Sequence, residues 1–321
     1  MGFDMPIKRK MRVICIVVLL TISLLTAIYF LSGYEKSELT HETRAELPGS
    51  FAALPSGVTH YELSGDPDAP LVVLVHGFSV PYYIYDPTVP ELAAAGYSAL
   101  RYDLYGRGYS DRPDVAYTLD LYITQLTQLL DQLQVNRKVH IVSLSQGAPV
   151  AGAFANRYPD RVSTLTLIDP LITQVKKKDI LPMGLSLIGE YITRVVLVPH
   201  ILPASQANDL HHPENHPDWE LRYRDQLKYK GFTNAILSSI RHLPDLQPMA
   251  EYIAVADAEI PIQLVWGRHD QTIPYRDIEF FISKLPDTEL HIIEDAGHIP
   301  HFEHPEVVNP LMFTFISATD Q

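Results

Sequence analysis

The stretch that most constrains this chain is Val139-His140-Ile141-Val142-Ser143-Leu144-Ser145-Gln146-Gly147-Ala148. A β-branched apolar run leads into small-x-Ser-x-Gly, and a helix-compatible segment, residues 149–158, follows at once. Strand, tight turn and helix in that order make the context of a nucleophile elbow. A serine at the apex of so tight a turn sits in a strained backbone with its hydroxyl presented outward. Its neighbours must be small, because strand and helix pass within contact distance there. The helix N-terminus adds backbone N–H groups and partial positive charge where an oxyanion would form. Ser143 stands where a glycine is usual, so the string alone is a weak signal. Its weight depends on the rest of the chain.

Around this stretch the sequence predicts strands alternating with helices from Val58 onward. Leu71-Val72-Val73-Leu74-Val75 is a continuous apolar run, as a strand buried on both faces requires. Further strands are expected over 97–102, 139–143, 162–168, 262–266 and 290–293, with helices over 89–95, closed by Gly96, and 119–133. That alternation predicts an α/β domain with a mostly parallel central sheet and helices on both faces. Between Asp169-Pro170 and Ile260-Pro261 the alternation stops. An insertion of that length is expected to be a helical cap rather than a loop, with helices over 182–198 and 219–239. The organisation expected is therefore a core of 57–170 and 260–321 with a cap of 171–259. Lys176-Lys177-Lys178 reads as a solvated face. His211, His212 and His216 sit among prolines in an irregular loop, and no metal is expected there.

The N-terminus carries a separate message. Residues 13–31 form an uncharged run of 19 residues behind Lys8, Arg9, Lys10 and Arg12. This is about the ~20 residues a membrane-crossing helix needs. A cleaved signal peptide has a shorter apolar core and a small-x-small cleavage site, and Ser32-Gly33-Tyr34-Glu35-Lys36 offers none. Residues 1–33 are accordingly expected to be a signal anchor, and 34–56 a polar stalk with little order. The basic flank places the N-terminus in the cytoplasm and the main domain on the far side; secretion after cleavage is the alternative. The net charge of −13 excludes a nucleic-acid partner, which needs a basic face. The one cysteine, Cys15, lies within the apolar run, so the globular part can form no disulfide.

Two further motifs give the elbow its weight. Gly267-Arg268-His269-Asp270 follows the strand at 262–266, and Asp295-Ala296-Gly297-His298 follows the last strand. Gly297 is expected to permit an unusual turn that presents His298 inward. Ser145, Asp270 and His298 thus stand in the order Ser…Asp…His, each at a strand end, where parallel sheets bind their ligands. Asp169, at the end of another strand, competes with Asp270 for the acid role. Because it precedes Pro170, it is expected instead to pin the entrance of the cap.

With these stretches, His76-Gly77-Phe78 and Asp103-Leu104-Tyr105-Gly106-Arg107-Gly108-Tyr109-Ser110, the chain resembles the α/β-hydrolase fold superfamily from about residue 58 to 315. It departs at Ser143 and at Ala148, where glycines often stand. The resemblance implies Ser145 as nucleophile, His298 as base and Asp270 as orienting acid, with the backbone N–H groups of Phe78 and Gln146 as oxyanion donors. It implies a role for His76 in holding its loop by hydrogen bonds. The function expected is hydrolysis of carboxylic esters, esterase- or lipase-like, through an acyl-enzyme and without cofactor or metal. The apolar residues of 181–197 would line an acyl site or pack the cap's own core. An anchor beside such a pocket suggests a small ester or lipid-like substrate. The alternatives are a C–C bond hydrolase of meta-cleavage-product type, haloperoxidase-like chemistry on the same residues, and a non-catalytic binding protein on the same fold. Dehalogenase and epoxide hydrolase chemistry is disfavoured, because their nucleophile is Asp where this chain has Ser145.

Overall fold

The structure, a computed structural model, describes residues 7–319, so the first six residues of the expected anchor segment lie outside it. Eight strands carry the fold: Ser50–Leu54 (β1), Gly57–Ser64 (β2), Leu71–Val75 (β3), Ser98–Tyr102 (β4), Val139–Leu144 (β5), Val162–Ile168 (β6), Ile262–Gly267 (β7) and Glu289–Ile293 (β8). They form one sheet in the order β1-β2-β4-β3-β5-β6-β7-β8. β1 with β2 and β2 with β4 pair antiparallel, and every other pairing is parallel.

Residues of β3, β4, β5 and β7 are buried throughout, because helices cover both faces. Alternation along β3 divides its side chains between two layers. Val73 packs with Leu126, Phe154, Tyr252 and Phe281. Val72 and Leu74 pack with Leu92, Met312 and Ile316. The second layer continues into the cap through Trp219, Tyr223, Phe232 and Ile236.

No strand lies between β6 and β7. The cap segments are Ile188–Ile192, a π-helical stretch Thr193–Ile201, Leu202–Ser205, Trp219–Arg224 and Phe232–His242. Helix Pro248–Asp257, expected within the cap, instead packs Tyr252 and Val255 into the core layer. Its Tyr252 ring lies 3.0 Å from where a Cβ on Gly152 would stand.

The stalk expectation needs correction. Glu35 accepts the N–H groups of Gly231 (2.9 Å) and Thr233 (2.5 Å). Ser37 N–H donates to Lys228 O at 2.9 Å, and Lys230 N–H donates to Ser37 O at 2.9 Å. The segment is bonded to the cap, and residues 50–54 enter the sheet as β1.

Candidate active site

The elbow follows from crowding. Ser145 has φ of +53°, a left-handed conformation that costs a non-glycine residue roughly 1–3 kcal/mol. Ser145 N–H donates to Ile168 O, and its carbonyl accepts from Ala148 and Leu171 N–H. A Cβ on Gly147 would lie 2.3 Å from the His76 carbonyl oxygen. The helix Gly147–Arg157 therefore reaches β3 only with glycine there. Ser143, the departure from glycine, is buried and donates its hydroxyl to Thr166 O at 3.3 Å.

Past the end of β7, Asp270 turns back on its own loop. Its Oδ1 accepts Thr272 N–H at 2.7 Å and Ile273 N–H at 3.0 Å. That leaves Oδ2 for His298 Nδ1, 2.8 Å away. This bond fixes the imidazole with Nδ1–H toward Asp270 and Nε2 free to accept a proton. Burial works against protonation of His298, but the charge and hydrogen bond of Asp270 outweigh it and hold its pKa above the ordinary value. Burial also opposes ionisation of Asp270, and His298 outweighs that in turn, keeping the acid below its usual range. The mutual bias is that of an orienting carboxylate and its base.

Ser145 and His298 line one cavity of about 360 Å³ with Gly77, Phe78, Leu144, Leu202, Gln206, Asp209 and Ile299. No hydrogen bond joins the Ser145 hydroxyl to His298 among the described residues; such contacts commonly tighten only around substrate. Phe78 borders the cavity, and Gln146 heads the helix behind Ser145. The apolar residues of 181–197 do not line this cavity, and Leu181, Met183, Leu185, Leu187, Ile188, Tyr191, Val195, Val196 and Leu197 are all at least partly exposed. Met183 and Leu197 pack against the second core layer, Tyr191 stacks on the N-terminal helix, and Leu181, Leu185, Leu187, Ile188 and Val196 face outward, so the acyl-site expectation does not hold for them.

The loop before Phe78 is held from two sides. His76 is fully buried, its Nδ1 bonded to Gly77 O at 2.9 Å while Nε2 accepts Leu104 N–H at 2.9 Å. Burial pushes its pKa down to about 4, so it stays neutral. Arg107, buried as well, donates Nε to Phe78 O at 2.7 Å and NH2 to Ser239 Oγ at 2.9 Å. Arg107 was visible only as part of the Gly-rich loop, with no sign of this role.

Asp169 takes neither role expected of it. Its Oδ1 accepts Gly267 N–H at 3.0 Å, tying the end of β6 to β7. Its Oδ2 has no donor, and its carboxyl lies close to that of Asp270. Burial first, then the Asp270 charge, raises the Asp169 pKa well above the usual range. Adjacent carboxylates oppose each other's ionisation, which biases the proton toward Asp169 and the charge toward Asp270.

Gly297 also acts differently from expectation. Its φ lies outside the left-handed region, and a Cβ there would sit 2.7 Å from Asp209 O. The requirement is close approach of the cap. Asp209 O accepts His298 N–H at 2.8 Å, and Asp209 Oδ1 accepts the Thr272 hydroxyl at 3.1 Å. The cap thus helps position His298, through a residue in an irregular segment that no pattern marks.

Two other features collect polar groups away from Ser145. His211 and His212 lie 3.5 and 3.2 Å from Asp295, His212 also contacts Glu214, and the His211 ring stacks on His269. A cleft of about 390 Å³ lies around Arg101 and Arg222. Both cations are already paired there, Arg101 with Glu62 and Asp86 and Arg222 with Asp86.

The sequence model of the alpha/beta hydrolase family matches residues 72–311. The chain is 26% identical over 270 residues to a 2-hydroxy-6-oxononadienedioate/2-hydroxy-6-oxononatrienedioate hydrolase of Escherichia coli, covering 80% of this chain and 90% of that one. It is 26% identical over 271 residues to an uncharacterized protein of Mycobacterium tuberculosis, covering 78% and 76%. Similar solved structures include the enol-lactonase from Burkholderia xenovorans LB400, with TM-score 0.73, 19% identity, and coverage of 84% of this chain and 100% of that one. A thermophilic esterase from Thermogutta terrifontis also has TM-score 0.73, with 21% identity and coverage of 86% and 100%. At those identities the structures speak for the fold.

Proposed function

Because the chain belongs to the alpha/beta hydrolase family, we propose that it is a membrane-anchored serine hydrolase of carboxylic esters with an apolar acyl group. The observation that carries this reading is the 2.8 Å bond between Asp270 and His298 at a cavity that Ser145 also lines. Ser145 Oγ attacks the ester carbonyl carbon as its proton passes to Nε2 of His298. The N–H groups of Phe78 and Gln146 receive the oxyanion. Collapse breaks the C–O bond, and the leaving alkoxide takes the proton from His298. Water, deprotonated by the same imidazole, then releases the acid from Ser145.

The Escherichia coli relative gives the second reading, C–C hydrolysis. Its named substrates are dioates, which carry two carboxylates. A site for such a dianion needs cations, yet none of the side chains lining this cavity is a lysine or arginine, and Asp209 adds an acid. Phe78, Val80, Leu144, Leu202 and Ile299 suit an uncharged apolar acyl chain instead.

The apolar helix Ile7–Leu31 supports the anchor part of the proposal. Its 25 residues are largely exposed and none is buried, and they span about 37 Å at 1.5 Å per residue. In our reading the helix is retained, with the hydrolase domain on the non-cytoplasmic side.

A series of p-nitrophenyl esters of increasing acyl length, assayed beside a 2-hydroxy-6-oxo-dienedioate, tests the substrate class. We expect kcat/KM to rise with acyl length beyond acetate and the dioate to turn over negligibly. Faster turnover of the dioate than of any ester would overturn the proposal.

A further inference from the structure

The helix Ile7–Leu31 does not end in open space. Tyr29 stacks on Tyr191 of the cap, with ring centroids 6.2 Å apart. Arg194 donates Nε to Tyr29 O at 2.9 Å and lays its guanidinium over the same ring at 4.8 Å. Beside this junction the cap exposes a run of apolar side chains. Ile188, Val196 and Ile201 are exposed at spacings set by the turn of α- and π-helix. Leu181, Leu185 and Leu187 are exposed just before them. Leu187 is 81% exposed and has φ of +64°, a conformation costly for a branched side chain. The chain spends backbone strain to hold a leucine outward. The cavity-lining residues Leu202, Ser205, Gln206 and Asp209 follow directly after Ile201.

A water-facing apolar run of this size is unusual on a soluble surface. Here the same chain supplies a reason for it. A membrane-crossing helix ends at the headgroup layer, where tyrosines concentrate, and Tyr29 and Tyr191 meet at that end. We infer that the cap face formed by Leu181, Leu185, Leu187, Ile188, Val196 and Ile201 rests in the headgroup–acyl boundary of the bilayer that holds the protein's own N-terminal helix. Apolar faces lying in that plane bury about 5–10 Å deep. The cavity that contains Ser145 then opens beside the lipid surface, which would favour substrates that reside in the bilayer. This inference rests on the reading of Ile7–Leu31 as a retained anchor.

The lone cysteine makes the test specific. In a Cys15→Ser background, Leu187→Cys, Ile201→Cys and Leu63→Cys are each labelled with an environment-sensitive fluorophore, and the full chain is reconstituted into vesicles. Leu63 is also exposed, but it lies on β2 opposite Leu100 of β4, in the core sheet rather than the cap. Nitroxide-bearing lipids should remove most of the fluorescence at Leu187 and Ile201 and leave that at Leu63 unchanged. Carbonate extraction of the same vesicles checks the anchor separately. Protein retained through carbonate with all three probes unquenched would overturn the docking of the cap and leave the anchor standing. Release by carbonate would overturn the anchor, and the inference with it.

Discussion

His298 can accept the proton of Ser145 only when neutral, and its pKa is held above the ordinary imidazole value mainly against burial by Asp270. Ester hydrolysis should therefore rise with pH through a midpoint above the ordinary histidine value of about 6.5. Removing the Asp270 charge removes what opposes burial. Asp270→Asn should lower kcat by roughly 10³–10⁴, since the amide favours the wrong tautomer, and move the residual midpoint to lower pH. Asp169→Asn should do neither, because burial and the Asp270 charge bias the native carboxyl toward its neutral form and an amide oxygen can still accept Gly267 N–H. A pH–rate profile of the two variants, each checked for folding by circular dichroism, decides between the acids; the reverse ranking would place the acid at Asp169. At this scale Ser145, Asp270 and His298 were legible, because each stands just beyond a recognisable strand. Asp209 was not. It acts through its backbone carbonyl from an irregular cap segment, and a carbonyl leaves no mark on sequence.

The elements that build the site tolerate little change where they touch. Gly147→Ala would place a methyl 2.3 Å from the His76 carbonyl, and overpacking of this kind costs roughly 1–3 kcal/mol. Thermal unfolding should show a lower Tm than Ala148→Gly, together with slower ester turnover because His76 and Phe78 must shift. An unchanged Tm would mean that the helix and β3 are not in contact there. Buried parallel strands read directly as apolar runs, and β3, β5 and β6 fall within a residue of expectation. β1 and β2 escaped, because an antiparallel edge pair with partly exposed residues carries only a weak alternating pattern. The helix expected over 219–239 is broken between Arg224 and Phe232, with Gly231 at φ of +92° just before the second helix. There the backbone turns to bind Glu35, a tertiary demand that helical periodicity cannot announce.

Across the whole molecule, the apolar N-terminal helix, the segment after it, the cap and the core form a connected path to one cavity. Glu35 and Ser37 fasten the stalk to the cap, and Asp209 fastens the cap to His298. The apolar N-terminal run and the interruption of strand–helix alternation were both legible in sequence. Their mutual contact was not, because residues such as Tyr29 and Arg194 lie far apart along the chain. All of this organisation serves the claim that Ser145 is an activated nucleophile, and a fluorophosphonate tests that claim most directly. The full-length protein is treated with the reagent, its residual p-nitrophenyl ester activity is followed, and the adduct is mapped by peptide mass spectrometry. One adduct per chain is predicted, on Ser145, forming in step with the loss of activity and absent from His298→Ala on the same timescale. Full activity in the fully modified protein, or inactivation with the adduct on any other residue, would contradict it.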